Sequence, residues 1–70
     1  MDTPELIKTI RTQLGLSQDA FAAALHVAFS TVNRWENGRN SPNDIIWAYM
    51  ADYCEKHGVD KALIDAIKKR

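Results

Sequence analysis

Residues that start and stop helices recur at short intervals along this chain. Ser17 and Asp60 have side chains that accept hydrogen bonds from the unpaired N–H groups of a helix N-terminus. Gly15, Gly38 and Gly58 suit the left-handed conformation that ends a helix. Apolar residues between these signals recur at helical spacing. The sequence therefore predicts an all-α fold of five short helices. The first is capped by Thr3, with Pro4 at its first position; the second runs from Ser17 to Leu25 and the third from Phe29 to Asn37. The fourth runs from a capping box at Ser41-Pro42-Asn43-Asp44 to Gly58, and the fifth begins at Asp60.

The length of 70 residues predicts a single domain over residues 1–70, because so short a chain supports only one core. Hydrophobic residues make up 46% of it, which excludes a disordered chain. No apolar run approaches the roughly 20 residues that span a bilayer, and the N-terminus has no signal-peptide pattern. With the single Cys54, which has no disulfide partner in the chain, these features indicate a cytoplasmic protein.

The formal net charge is zero, whereas many proteins that bind nucleic acids are basic. The charge is unevenly distributed, however. Between His26 and Arg39, Glu36 is the only acidic residue, whereas most acidic residues of the second half follow Arg39. The neutral total is therefore compatible with a polarised surface.

The second and third helices are each about two turns long and are separated by three or four residues, so they must cross steeply. A tight crossing requires small residues at the contact, and Ala22 and Ala23 meet that need with Val32 as their partner on the third helix. Such a crossing turns one face of the third helix outward, where it can enter a DNA major groove about 12 Å wide.

The segment LGLSQDAFAAALHVAFSTVNRWENGR, from Leu14 to Arg39, resembles the phage-repressor (Cro/repressor-like, XRE) family of helix-turn-helix domains. The resemblance rests on the joint spacing of GLSQ, Phe21, Ala22, Val32 and the run RWENG. It implies a compact five-helix bundle of the lambda-repressor-like type. It also implies binding to double-stranded DNA and transcription regulation, with the third helix in the major groove.

The resemblance assigns DNA contacts to nine residues. Arg34 would bond guanine, Asn33 adenine, and Phe29 would pack on a thymine methyl. Gln18 would bond a phosphate and brace the third helix. Ser17 is an N-cap first, Thr31 either bonds a phosphate or caps its own helix, and Arg39 and Asn40 either touch the DNA backbone or lie in a solvated loop. The candidate site is Ser17, Gln18, Phe29, Ser30, Thr31, Asn33, Arg34, Arg39 and Asn40.

By the same resemblance, Arg11 and Glu36 form a structural ion pair between the first and third helices, and Trp35 belongs to the core. The chain departs from the family pattern at His26, where Gly is usual, at Ala28, where a Ser or Thr cap is usual, and at Phe29, where Gln or Arg is commoner. These departures put base recognition in doubt. An exposed Phe29 would also suit a third helix that binds protein.

Other chemistries find little support. Cys54 and His57 have the i, i+3 spacing of half a zinc site, but the chain has no second cysteine to complete it, so Cys54 is expected to be a packing residue. No phosphate-binding loop, nucleophile elbow or HExxH is present. We therefore expect no enzyme, no metal and no cofactor.

The fourth helix has an apolar face wider than one core requires, and this face includes Ile45, Trp47 and Tyr49. Either the fifth helix covers it, or a second subunit does, in a homodimer through helices 4 and 5. The alternative function is that of a protein-interaction module, antitoxin-like or regulator-binding, built on the same fold.

Overall fold

The computed structural model describes residues 1–70 and contains five helices and no strand. The all-α prediction is therefore confirmed. The helices are α1 (Thr3–Gln13), α2 (Gln18–Leu25), α3 (Phe29–Glu36), α4 (Asp44–Lys56) and α5 (Lys61–Lys68). None of them is long and apolar enough to cross a membrane.

Two helix caps are as predicted and two are not. Ser17 Oγ accepts from the Ala20 N–H at 3.1 Å, and Asp60 Oδ1 accepts from the Ala62 N–H at 3.1 Å. The first helix is capped by Asp2, one residue before the predicted Thr3, because proline is tolerated anywhere in the first turn, where N–H groups lack partners. The fourth is capped by Asn43 rather than by a Ser41 capping box, and Asn43 Oδ1 accepts from the Ile46 N–H at 2.9 Å.

Sixteen buried hydrophobic residues from all five helices and the α4–α5 connection form one core. No polar or charged residue is fully buried. Its largest fully enclosed side chains are Phe21, Ile7, Ile10, Leu25 and Met50, followed by Val32 and Cys54, so α1 to α4 all contribute to the centre of the core. Cys54 is also fully buried, as expected of a packing residue, and His57 stacks on Tyr53 with ring centroids 4.2 Å apart.

The connection from α2 to α3 is His26, Val27 and Ala28. His26 adopts a left-handed conformation with φ 60° and ψ 39°, and no other residue except glycine has positive φ. Ala22 and Val32 are buried at the crossing, as predicted. Ala23 is exposed, so its predicted role there is wrong. The buried stripe of α2 runs through Phe21, Ala22 and Leu25, which turns the intervening Ala23 toward solvent.

The wide apolar face of α4 is divided between two environments. Trp47 is only 6% exposed, because α5 packs against α4 and the Arg70 guanidinium lies 4.0 Å from the centre of the Trp47 ring. The Arg70 side chain also donates to Thr3 Oγ1 at 3.3 Å. Ile45 and Tyr49 stay 78% and 40% exposed. Helix α5 therefore covers the Trp47 side of α4 and leaves the Ile45 side uncovered.

Candidate nucleic-acid interface

Helix α3 has an inner and an outer face. Val32 and Trp35 are buried in the core, whereas Phe29, Ser30 and Arg34 are exposed, Phe29 to 48%. At 100° per residue, the three exposed residues span about 140° of the helix circumference, on the side away from Val32 and Trp35. A DNA groove of suitable width can therefore receive this face of α3 without disturbing the core.

A partly buried ion pair holds α3 against α1. Arg11 Nε donates to Glu36 Oε2 at 2.7 Å, and Arg11 Nη2 donates to Glu36 Oε1 at 3.1 Å. The two side chains are only 14% and 6% exposed, and Arg11 Nη1 also donates to the Leu16 carbonyl at 2.9 Å. Hydrogen bonding to Glu36 raises the pKa of the Arg11 guanidinium. The pairing expected from the resemblance is thus present, and it sets the orientation of α3.

A chain of side-chain amides extends from this ion pair to the surface. Gln18 Nε2 donates to Glu36 Oε1 at 3.1 Å, and Gln18 Oε1 accepts from Asn33 Nδ2 at 3.3 Å. Asn37 Nδ2 then donates to Asn33 Oδ1 at 3.1 Å and to the Asn33 carbonyl at 2.9 Å. We call Gln18, Asn33 and Asn37 the amide chain. It fixes the Asn33 side chain from both sides while leaving its amide with one further N–H and one further lone pair.

The sequence interpretation overlooked Asn37, which it treated only as part of the helix stop. Its backbone is not left-handed, with φ −96° and ψ 3°; the left-handed residue is Gly38, with φ +74°. The i, i+4 spacing of Asn33 and Asn37 was the available signal, because residues at that spacing are neighbours on a helix surface.

The two helix N-termini of the motif differ. At α2, the Ser17 side chain caps its own helix, and its hydroxyl keeps its O–H donor and one lone pair for other partners. At α3, Ala28 offers no side-chain acceptor, so the first N–H groups of this helix have no cap. Uncapped N–H groups at a helix N-terminus, with the positive end of the helix dipole, attract anions.

The remaining predicted DNA-contact residues lie at the two ends of the exposed face of α3. Thr31 is half-buried in the first turn of α3, whereas Arg39 and Asn40 are exposed in the loop after Gly38. The Arg39 N–H donates to the Arg34 carbonyl at 2.9 Å, which places the start of this loop against the end of α3. All nine candidates therefore belong to the helix-turn-helix and the loop that follows it.

The ion pair also affects the net charge of the exposed face of α3, because it neutralises Glu36. Glu36 is held by Arg11, so the exposed charged side chains between His26 and Arg39 are those of Arg34 and Arg39, both positive. Asp44, Asp52 and Glu55 lie on α4, outside the helix-turn-helix, whereas Asp19 is an exposed carboxylate on α2 within it. The neutral total of the chain therefore hides a weakly positive surface along α3.

Comparisons with known proteins agree with this geometry. A family model described as helix-turn-helix matches residues 7–59, which include α1 to α4 apart from the first residues of α1. Antitoxin HigA-2 of Vibrio cholerae serotype O1 is 42% identical over 41 residues, a stretch that covers 59% of this chain and 39% of the antitoxin. The chain thus spans about two fifths of the length of that relative. No solved structure matches the chain.

Proposed function

Because this chain belongs to the helix-turn-helix family of the phage-repressor (XRE) type, a family of DNA-binding regulators and not an enzyme class, we propose that it binds a specific double-stranded DNA site and regulates transcription. In this proposal residues 1–70 act as one DNA-binding domain, and α3 enters the major groove.

The observation that carries the proposal is the division of α3 into two faces. Val32, Trp35 and the paired Glu36 hold the helix in place, and they leave an exposed face bearing Phe29 and Arg34. A rigid helix with one exposed, positively charged face suits major-groove recognition, because the side chains must meet base edges without rearranging the core.

Three residues of α3 are proposed to contact bases. Arg34 is exposed and forms no ion pair within the chain, so its guanidinium is free to donate to guanine O6 and N7. Asn33 can bond adenine with the N–H and lone pair that the amide chain leaves free. Phe29 precedes them at the exposed start of α3, where it can pack on a thymine methyl. Ser30 beside it can bond either a base or a phosphate.

The other candidates are proposed to contact the DNA backbone. Ser17 and Gln18 lie at the start of α2, where N–H groups of the first turn point toward an approaching phosphate. Thr31, Arg39 and Asn40 flank the base-contacting residues and would position α3 in the groove. Contacts of this kind fix the register of the protein on DNA and raise affinity for every sequence alike.

Selection of bound duplexes from a random DNA pool at low salt tests the proposal. We expect one enriched site, whose binding constant falls by about one log unit per log unit of salt for each phosphate contacted. Binding to a scrambled duplex of equal length and composition provides the control. If no sequence is enriched, or if the scrambled duplex binds equally well, the proposal of specific recognition is wrong.

A homodimer would extend this function to two half-sites. We propose that two copies associate through α4 and α5 at the uncovered side of α4, where Ile45 and Tyr49 are exposed, and that they span half-sites about 34–36 Å apart. Sedimentation at two concentrations tests this. A dimer that is lost in Ile45→Glu but kept in Lys8→Glu, an exposed control on α1, would support it. A wild-type monomer at both concentrations would contradict it.

A second candidate function is that of an antitoxin-like module, which holds a partner protein with the same fold. The similarity to Antitoxin HigA-2 over 41 residues favours it, as does the exposure of the apolar Phe29 on α3. The two functions separate by the DNA selection described above: an interaction module without DNA specificity enriches no site.

A further inference from the structure

A groove lies between α4 and α5, away from the helix-turn-helix. It has a volume of about 430 Å³, is open to solvent along one side, and no residue of α1, α2 or α3 lines it. Its apolar surface comes from Trp47, Ala48 and Ala51 of α4 and from Ile67 of α5. The two alanines leave the space that larger side chains would fill, so an apolar side chain from outside can pack there.

The rim of the groove is acidic. Asp44, Asp52 and Glu55 line it, with Lys68 as the only cation among the lining residues. Lys68 bonds Glu55 at 2.7 Å, and Lys56, outside the groove, approaches Asp52 at 3.3 Å. All four of these paired side chains are about half exposed or more, so such pairs are weak and exchange readily with a cation from a partner. Asp44 has no cationic partner within the chain.

Trp47 forms the nearly enclosed part of the groove wall. The residue is 6% exposed, and its indole N–H has no acceptor anywhere in the protein. Buried N–H groups almost always have an acceptor, so this one stands out. The guanidinium of Arg70 already covers one face of the Trp47 ring at 4.0 Å, so a partner would meet the alanines and the acidic rim instead.

From these features we infer that the α4–α5 groove binds a short basic segment of a partner protein. An apolar side chain of the segment packs on the alanines, and its Lys or Arg side chains meet Asp44 and Asp52. A second copy of this chain fits the groove less well, because a two-fold contact would bring one acidic rim against another. The inference does not rest on DNA binding.

The test selects short random peptides displayed on phage against the intact protein and then measures the enriched peptide, labelled with fluorescein, by anisotropy. We expect enriched sequences in which Lys or Arg flank an apolar residue. Replacing the Lys and Arg of the peptide with Glu should abolish binding, and added salt should weaken it.

Ala48→Arg fills the groove and reverses charge at its rim, and Ala48 is exposed, so the variant should fold. We expect it to weaken peptide binding by about tenfold or more, whereas Ala62→Arg, on an exposed position of α5 outside the groove, should leave binding unchanged. Asp52→Asn should weaken it severalfold.

No enriched peptide, enrichment of acidic peptides, or equal binding by Ala48→Arg would overturn the inference. So would a dimer of the wild-type chain that Ala48→Arg abolishes, since the groove would then hold a second copy.

Discussion

Arg11 clamps Glu36 with two hydrogen bonds of 2.7 and 3.1 Å and so joins α1 to α3 across 25 positions of sequence. Glu36 Oε1 accepts a third hydrogen bond from Gln18 of α2. The same carboxylate therefore connects the three helices that place α3 at the surface. Its removal affects the fold and the candidate interface together, and the two effects must be measured separately.

Glu36→Ala should lower the free energy of unfolding by about 3 kcal/mol, because it leaves the enclosed Arg11 guanidinium without its partner. Thermal unfolding followed by circular dichroism measures the loss. Lys68→Ala breaks an exposed ion pair and should hardly change the midpoint. The double variant Arg11→Met/Glu36→Leu should recover most of the stability. Equal midpoints for Glu36→Ala and wild type would contradict the structural role of the pair.

Arg34→Ala should change the DNA site that the protein selects while the unfolding midpoint stays near that of the wild type. The loss of a bidentate contact to guanine is worth about 1–3 kcal/mol of discrimination at one base pair. Titration of labelled duplexes that differ at that position measures it. Lys61→Ala removes the same charge from an exposed position of α5 and should leave base preference unchanged. A large stability loss in Arg34→Ala would instead assign Arg34 to the fold.

Phe29→Ala distinguishes a DNA contact from a protein contact on α3. Phe29 is 48% exposed, so truncation should have little effect on stability. If the ring packs on a thymine methyl, the selected site should lose its preference for thymine over uracil at one position, because uracil lacks only that methyl. A variant whose DNA binding equals that of the wild type at every position would show that Phe29 serves another partner.

The stability of variants at position 26 should depend on how well each residue tolerates the left-handed backbone of His26, which has φ 60°. We expect His26→Gly to be more stable than His26→Ala by about 1 kcal/mol, because a Cβ is disfavoured in this conformation. His26→Val should be the least stable of the three, since β-branched residues avoid positive φ most strongly. Chemical denaturation ranks them, and an inverted order would contradict the left-handed conformation of residue 26.

The Cys54 thiol should be unreactive in the folded protein. Burial raises its pKa from 9.0 to about 11, and the thiolate is the reactive form. Iodoacetamide at pH 8 should therefore label the chain in urea but not in buffer. Because the folded pKa is the higher one, the thiol favours the folded state at pH below 9.0, and this contribution is lost as the pH rises toward 11. Complete labelling of the native protein would contradict the burial.

Local signals predicted the elements of this fold well. Ser17 and Asp60 cap the helices they were expected to cap, since an N-cap depends only on the residues next to it. The same local rules misplaced the caps at Thr3 and Ser41 by one and two residues, because neighbouring residues there are also good caps. Boundaries of this kind are decided by small differences between adjacent side chains.

Contacts between distant residues were predictable only from the family resemblance or not at all. No spacing rule connects Arg11 with Glu36, and their pairing was expected solely because family members have it. The bond between Asn33 and Gln18, the covering of Trp47 by Arg70, and the α4–α5 groove depend on how the helices pack, which helical periodicity does not specify. Asn37 differs from these, because its i, i+4 spacing from Asn33 was a usable signal within one helix.

The connection of Glu36 to three helices has a consequence inside the cell. A genetic screen for loss of DNA binding would find variants of both Glu36 and Arg34, but for different reasons: loss of stability in the first case and loss of a DNA contact in the second. A protein weakened by a few kcal/mol is unfolded more of the time and is removed by proteases, so Glu36 variants should be scarce on an immunoblot. Arg34 variants should accumulate to the level of the parent, and protein abundance alone would sort contact residues from those that hold the helix in place.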